Sequence, residues 1–181
     1  MNKSKIRSNI LKFRKNNFNK NLKINLDKFI SFLKTNIQNA KKIGGYYPSN
    51  YEIDDLEILD VLDKKNFKIS LPIVKKNNQM NFYSWSKKDP LKVNKFGIPE
   101  PVSSKILYPD ILLVPLVGYD KNLNRLGYGG GFYDRYIEKI DKIKKVTKIG
   151  LAFSYQKIKS VPINQYDKKL DYIITEKEIA K

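Results

Sequence analysis

An apolar run followed by a glycine cluster and a helical pattern constrains the fold of this chain more than any other feature. Residues 111–117 are apolar and are bounded by Pro109-Asp110 and by Gly118. A short run with such borders predicts a strand buried on both faces, as in a parallel sheet. Four of the five residues from 127 to 131 are then glycines: Gly127, Gly129, Gly130 and Gly131. The apolar residues that follow fall at steps of three and four, which predicts a helix: Tyr133, Tyr136, Ile137, Ile140 and Ile143.

Two interpretations of the glycine-rich loop stay open from its glycines alone. Its backbone N–H groups can approach a phosphate, while the following helix directs its positive dipole end at the same anion. Alternatively, the glycines form a flexible turn that lets strand and helix pack closely. The loop is not a P-loop, because no Lys follows the glycines, and Phe132 stands where a dinucleotide fingerprint requires glycine.

The residue types that are missing limit the available chemistry. The chain contains no Cys and no His, so disulfides and thiolate metal sites are excluded. Acid–base or metal chemistry must therefore use Asp, Glu, Lys or Tyr, or the substrate itself.

A net charge of +18, from 36 Lys and Arg against 18 Asp and Glu, raises the question of a nucleic-acid partner. The basic residues are mostly Lys and are scattered through every segment, and Asn and Ile are abundant as well. That composition indicates AT-rich coding rather than selection for RNA or DNA, so we expect no nucleic-acid partner. The positive field still attracts polyanionic small molecules.

Two further segments carry candidate binding residues. A helix is predicted over about residues 3–15, where Lys3, Arg7 and Arg14 share a stripe beside an apolar one. These cations either face a phosphate or are simply solvated. Further on, a strand and a turn precede a predicted helix whose first turn holds Glu52, with Asp54 and Asp55; such acids either bind a ligand or only stabilise the helix dipole.

The full strings around these features resemble the motifs of one family. Arg125-Leu-Gly-Tyr-Gly-Gly-Gly-Phe-Tyr-Asp-Arg135, preceded by Pro115-Leu-Val-Gly-Tyr-Asp120, closely resembles the signature of 5-formyltetrahydrofolate cyclo-ligases. Lys3-Ser-Lys-Ile-Arg7 resembles the Lys-x-x-Leu-Arg element of that family. The segment from Tyr47 to Asp55 resembles its Tyr-x-x-x-x-Glu-Val-Asp-Thr element, with Asp55 in the place of Thr. The carboxyl-terminal part follows the family's order, with Tyr166 where His is common: Gln156, Pro162, Asp167, Asp171 and Thr175.

The resemblance implies a fold and a domain organisation. Strands that alternate with helices already predict a layered α/β domain, and 181 residues suit one domain. The resemblance adds a three-layer arrangement, a mostly parallel mixed sheet flanked by helices, similar to the sugar-phosphate isomerase and CoA-transferase type, over residues 1–181. No apolar run approaches a membrane span, so we expect a cytoplasmic protein. We also expect a monomer whose partners are small molecules.

The resemblance also implies an activity and its residues. Cyclo-ligases convert 5-formyltetrahydrofolate to 5,10-methenyltetrahydrofolate with ATP, releasing ADP and phosphate. Arg125 and Tyr133 are the expected catalytic residues, and Asp134 and Asp171 the expected Mg²⁺ ligands, although Asp134 also suits a dipole-stabilised first turn. The expected substrate contacts are Tyr47, Glu52, Tyr128 and Phe132. The expected ATP contacts are Lys3, Ser4, Lys5, Ile6, Arg7, Arg125, Leu126, Gly127, Tyr128, Gly129, Gly130, Gly131, Phe132 and Tyr133.

Two other function classes remain as alternatives. A basic α/β binding module would bind RNA tightly, with a strong salt dependence and no need for ATP. Another phosphate-ester enzyme on the same fold, such as a sugar-phosphate isomerase, would need a positioned acid–base carboxylate and no nucleotide. The string that ends at Arg135 and the pair Lys3 and Arg7 favour the ligase over both.

Overall fold

The structure is a computed structural model that describes residues 2–19 and 21–181. In that part of the chain the helices are α1 (Lys3–Asn16), α2 (Leu26–Asn36), α3 (Leu56–Lys64) and α4 (Phe132–Asp141). The strands are β1 (Lys42–Gly44), β2 (Lys68–Val74), β3 (Met80–Ser84), β4 (Leu91–Val93), β5 (Pro99–Pro101), β6 (Ile111–Pro115), β7 (Gly118–Tyr119), β8 (Arg125–Leu126), β9 (Thr147–Leu151), β10 (Tyr172–Ile174) and β11 (Ile179–Ala180). None of the helices in these ranges is long and apolar enough to cross a membrane.

Seven of these strands form one mixed sheet in the order β11-β10-β9-β6-β1-β2-β3. The five inner strands pair in parallel, and only the edge strands β3 and β11 run antiparallel to their neighbours. The predicted mostly parallel sheet flanked by helices is therefore confirmed. The hairpins β4–β5 and β7–β8 lie outside this sheet.

Strand β6 lies at the centre of the sheet and is buried on both faces, as its unbroken apolar sequence predicts. Ile111 and Leu113 pack into the cluster that α2 and α3 cover, whereas Leu112 and Val114 pack against α4 on the opposite face. Alternate side chains of a strand point to opposite faces. A continuous apolar run is therefore what a strand between two helical layers requires.

Helix α1 packs beyond the carboxyl end of β6 rather than on a face of the sheet. Ile6 and Ile10 contact a small apolar cluster formed by Val117, Leu126 and Val161. Because this cluster includes the start of the glycine-rich loop, the packing brings the basic stripe of α1 against that loop.

Two local predictions were wrong. The prolines and the glycine in residues 89–104 predict an ordered loop with little regular structure, but this segment contains the hairpin β4–β5. The turn of the hairpin is closed by the Asn94 side chain, which accepts from the N–H groups of Phe96 and Ile98. Helix α3 begins at Leu56, after the acids expected in its first turn. Asn50 and Tyr51 have φ values of 49° and 62°, and this left-handed turn interrupts any helix that starts earlier.

Candidate active site

The glycine-rich loop presents a run of free backbone donors. From Gly127 to Asp134, no N–H group donates a hydrogen bond to an acceptor in the described part of the chain. Gly129 and Gly131 have φ values of 104° and 65°, and Gly131 is the N-cap of α4. Side chains are strained at such angles. The glycines therefore leave an unobstructed set of N–H groups that continues into the N-terminus of a helix, an arrangement suited to an anion.

Helix α1 supplies cations to this loop. Arg7 Nε donates to the Gly127 carbonyl at 2.7 Å, and Lys3 Nζ pairs with Asp167 at 2.6 Å. The other members of the predicted segment have different surroundings: Ser4 and Lys5 are exposed, and Ile6 packs into the apolar cluster. Lys3 and Arg7 are thus the two side chains of the segment that make contacts at the loop side of α1.

Arg125 lies almost fully buried beneath the loop. One of its Nη atoms pairs with Asp134 Oδ1 at 2.6 Å, and the other donates to the Lys168 carbonyl. Burial lowers the pKa of Arg125, while the Asp134 charge opposes that shift. The same Asp134 oxygen accepts from the Lys168 N–H at 3.0 Å. The second carboxylate oxygen of Asp134 accepts no hydrogen bond in the described residues, so it is available to a ligand.

Asp171 does not lie with Asp134. Its carboxylate accepts from the Lys148 N–H at 2.7 Å, at the amino ends of β9 and β10. Lys148 Nζ lies 3.6 Å from Asp171 and 3.9 Å from Asp141, in the last turn of α4, whereas Asp134 is in the first turn. Seven positions along a helix correspond to about 10 Å. Mg²⁺ binds carboxylate oxygens at about 2.1 Å. In this arrangement a single ion therefore does not bind both Asp134 and Asp171. Residues 2–19 and 21–181 contain no group of three or more acidic side chains suited to a metal.

A second polar region, which we call the acid corner, consists of Glu52 and Asp55 in the segment between β1 and α3. Glu52 is 8% exposed, and its Oε2 accepts from Ser49 N at 2.7 Å and from Ser49 Oγ at 3.2 Å. Burial raises the pKa of Glu52, and hydrogen bonds from Tyr128 and Ser49 oppose that shift. The left-handed turn before Glu52 directs this side chain back onto Ser49 rather than into a helix.

Asp55 is the more extreme member of the acid corner. The residue is fully buried, its Oδ2 accepts from Tyr46 N at 3.0 Å, and its Oδ1 has no hydrogen-bond partner in the described chain. Burial raises the pKa of Asp55 well above its ordinary range. A Cβ atom at Gly45 would lie 2.7 Å from Asp55 Oδ2. Glycine at that position therefore gives the carboxyl group its space.

Arg14 joins the acid corner to the glycine-rich loop. The residue is 1% exposed, and its guanidinium donates to the Tyr128 hydroxyl at 2.5 Å and to the Leu116 carbonyl at 3.2 Å. Tyr128 in turn acts on Glu52, lowering the pKa of its carboxyl group against the effect of burial. The sequence predicts Arg14 on the basic stripe of α1, but its motifs do not mark it as a site residue. Its spacing of seven residues from Arg7 was the available signal, since two helical turns bring side chains back to one side.

Aromatic side chains lie at the start of α4, at the tip of the β4–β5 hairpin and after β1. The Tyr133 hydroxyl is buried without a partner in the described chain. The Phe132 ring lies 6.0 Å from the exposed ring of Phe96, at the tip of the β4–β5 hairpin. Tyr47 is half-buried just after the carboxyl end of β1. The aromatic residues predicted to bind substrate are Tyr47, Tyr128 and Phe132. They come from three segments: the residues after β1, the glycine-rich loop and the start of α4.

Free N–H groups, flanking cations and buried carboxyl groups meet beyond the carboxyl ends of β1 and β6. In open α/β sheets that edge carries the ligands. The fold and the site therefore define an α/β protein with an anion site beside a buried acidic pocket.

Comparison with known proteins identifies the family. The profile of the 5-formyltetrahydrofolate cyclo-ligase family matches residues 1–176. The Haemophilus influenzae 5-formyltetrahydrofolate cyclo-ligase is 34% identical over 135 residues, which cover 71% of this chain and 72% of that protein. The chain belongs to the 5-formyltetrahydrofolate cyclo-ligase family, which confirms the resemblance found in the sequence.

Solved structures agree with this assignment. The Aquifex aeolicus 5,10-methenyltetrahydrofolate synthetase superimposes with a TM-score of 0.80 and 32% identity, over 100% of this chain and 93% of that one. The Mycoplasma pneumoniae 5,10-methenyltetrahydrofolate synthetase gives a TM-score of 0.78 and 27% identity, over 98% and 100% of the two chains. The similarity thus extends along the whole fold.

Proposed function

We propose that this protein cyclises 5-formyltetrahydrofolate to 5,10-methenyltetrahydrofolate at the expense of ATP, releasing ADP and phosphate. One observation carries the proposal: the free N–H groups from Gly127 to Asp134 lie beside Arg7 and above Arg125, within the motif of the family. An anion site of this kind suits a triphosphate, and the neighbouring acid corner offers the acceptors that a reduced pterin needs.

The proposed reaction has two steps. The N5-formyl oxygen attacks the γ-phosphorus of ATP, and ADP leaves. N10 then attacks the carbon of the resulting iminophosphate, the C–O bond breaks, and N10 gives up its proton as phosphate departs. Phosphoryl transfer of this type depends mainly on alignment and charge neutralisation, which agrees with a chain that has no His and no Cys.

The loop and its cations are assigned to ATP. The N–H groups of the glycine-rich loop bind phosphate oxygens, and Lys3 and Arg7 add positive charge from α1. Arg125 neutralises charge that develops during transfer, because its buried guanidinium lies directly beneath the loop. The buried Tyr133 hydroxyl, which lacks a partner, is available to donate to an oxygen of the reacting group.

The acid corner and nearby aromatics are assigned to the folate. The Glu52 carboxylate accepts from pterin N–H groups, since a charged acceptor makes the stronger hydrogen bonds. Tyr47, Tyr128 and Phe132 provide ring surfaces at the junction of the two substrates.

Asp134 is the proposed Mg²⁺ ligand, through the oxygen that Arg125 and the Lys168 N–H leave free. The ion neutralises phosphate charge when MgATP is bound. Asp171 stays a predicted ligand whose position, at the other end of α4, argues against a shared ion. We further propose that the protein is cytoplasmic and monomeric and that its partners are small molecules.

The test is to mix pure protein with 5-formyltetrahydrofolate and to follow methenyltetrahydrofolate absorbance with and without ATP and Mg²⁺. We expect product only when both are present. Folded protein that yields no product would overturn the proposal, and RNA binding across a salt series would then be measured.

A further inference from the structure

Arg14 is a cation buried inside the site without a direct carboxylate partner in the described part of the chain. Its guanidinium contacts a hydroxyl and a carbonyl, and its Nε atom has no hydrogen-bond partner there. A buried charge that lacks an opposite charge is strongly unfavourable. We therefore expect such a cation to interact electrostatically with a nearby anion, and one lies close to it.

That anion is Glu52, which the Tyr128 hydroxyl also affects. Arg14 donates to the Tyr128 hydroxyl oxygen at 2.5 Å, so the Tyr128 O–H proton stays free for another acceptor, and the hydroxyl lowers the pKa of Glu52 against the effect of burial. The Arg14 charge also acts directly on Glu52, lowering its pKa against the effect of burial. Tyr128 thus links the buried Arg14 guanidinium to the buried Glu52 carboxylate.

Two further contacts fix the position of the guanidinium. The Leu116 carbonyl accepts from Arg14 at 3.2 Å and from the Gln156 side-chain amide at 3.0 Å. The Tyr128 ring lies 5.6 Å from the Arg14 guanidinium carbon, within cation–π range. A rigid cation can therefore fix the direction of the Tyr128 hydroxyl.

We propose that Arg14 is a positioning residue for the folate substrate: through the Tyr128 hydroxyl it holds the Glu52 carboxylate ready to accept hydrogen bonds from the pterin. This inference rests on the proposed function for the identity of the ligand. The chain of contacts itself does not depend on that function, so the two can fail separately.

Other ionisable groups face Glu52 and must be considered in any titration. Each senses its charge, and they come from the end of β1, the segment before α3, the glycine-rich loop and α4: Tyr46, Asp55, Tyr128 and Tyr133. Burial raises the pKa of each of these groups. Arg14 is thus the cation that acts on Glu52 from α1.

The first experiment measures Glu52 directly and needs no turnover. The carboxyl ¹³C shift of Glu52, assigned with Glu52→Gln, is titrated in the wild type, in Arg14→Gln and in Tyr128→Phe. We expect the titration midpoint to move to higher pH in both variants, because Arg14 and Tyr128 both lower the pKa of Glu52. Lys15→Gln is the matched control, because Lys15 is an exposed cation of the same helix. An unchanged midpoint in Arg14→Gln, or an equal shift in Lys15→Gln, overturns the inference.

The second experiment separates the two substrates. We expect Arg14→Gln to raise the KM for 5-formyltetrahydrofolate about 10-fold or more, as loss of a hydrogen-bonded charge does, and to leave the KM for ATP within about twofold. Arg14→Lys should recover part of the loss. Circular dichroism identifies a variant that fails to fold. Equal increases in both KM values overturn the inference, whereas a wild type without turnover overturns only the proposed function.

Discussion

The two halves of the site are built on opposite principles. The loop side, residues 127–134 with Arg7 and Arg125, presents open N–H donors and cations at a half-exposed surface. The acid corner, Glu52 and Asp55, presents acceptors that are sealed from solvent. The difference corresponds to the two proposed substrates, since a triphosphate brings negative charge and a reduced pterin brings N–H donors.

The two halves also differ in what they cost the free protein. Exposed N–H groups bond to water until a ligand replaces it, so an open donor loop is inexpensive. Buried carboxyl groups must be paired or protonated. Glu52 receives hydrogen bonds from the Ser49 N–H and hydroxyl, whereas one oxygen of Asp55 has no partner in the described residues. The acid corner is therefore the half of the site that is energetically costly in the free protein.

The largest expected effect tests the loop side. Arg125→Gln should lower kcat by about 10²–10³-fold, because it removes a fixed donor at the site of developing charge. Steady-state kinetics measure the effect. Lys142→Gln is the control, since Lys142 is an exposed cation just beyond the carboxyl end of α4. A loss below about tenfold in Arg125→Gln would contradict the assigned role.

A smaller effect should separate the two predicted metal ligands. Asp134→Asn should raise the Mg²⁺ concentration needed for half-maximal activity by about tenfold or more, because a neutral oxygen binds Mg²⁺ less well. Asp171→Asn should leave that concentration nearly unchanged, since Asp171 bonds to Lys148 at the other end of α4. Equal shifts in the two variants would show that both carboxylates serve one ion and that this placement of Asp171 is not the active one.

The smallest expected effect concerns stability at the acid corner. Because the pKa of Asp55 is raised in the folded state, the folded protein holds a proton that the unfolded chain releases above a pH of about 4. The contribution of Asp55 to the stability of the wild type is therefore lost as pH rises from there toward the raised pKa. Asp55→Asn does not titrate, so its stability relative to wild type should increase with pH, by about 1 kcal/mol or more at pH 7.

Urea unfolding at several pH values measures this difference. Asp54→Asn serves as the control, since its exposed carboxyl is the immediate neighbour of Asp55. A stability difference that stays constant from pH 4 to pH 8 would show that Asp55 is ionised in the folded protein.

Local patterns were sufficient for a large part of the fold. The apolar run at β6, the steps of three and four in α4 and the basic and apolar stripes of α1 all correspond to observed elements. The hairpins β4–β5 and β7–β8 were missed because their strands are two or three residues long. Strands that short have no periodicity of their own and depend on their partners.

The sequence by itself determined the family, the glycine-rich loop and the residue types of the site, because these are properties of neighbouring positions. Only the tertiary structure decided that Arg14 is buried, since its acceptors at Leu116 and Tyr128 are 102 and 114 positions away. It likewise put Asp134 and Asp171 at opposite ends of α4 and enclosed Asp55 completely. Burial and choice of partner depend on which distant segments meet, and no local pattern contains that information.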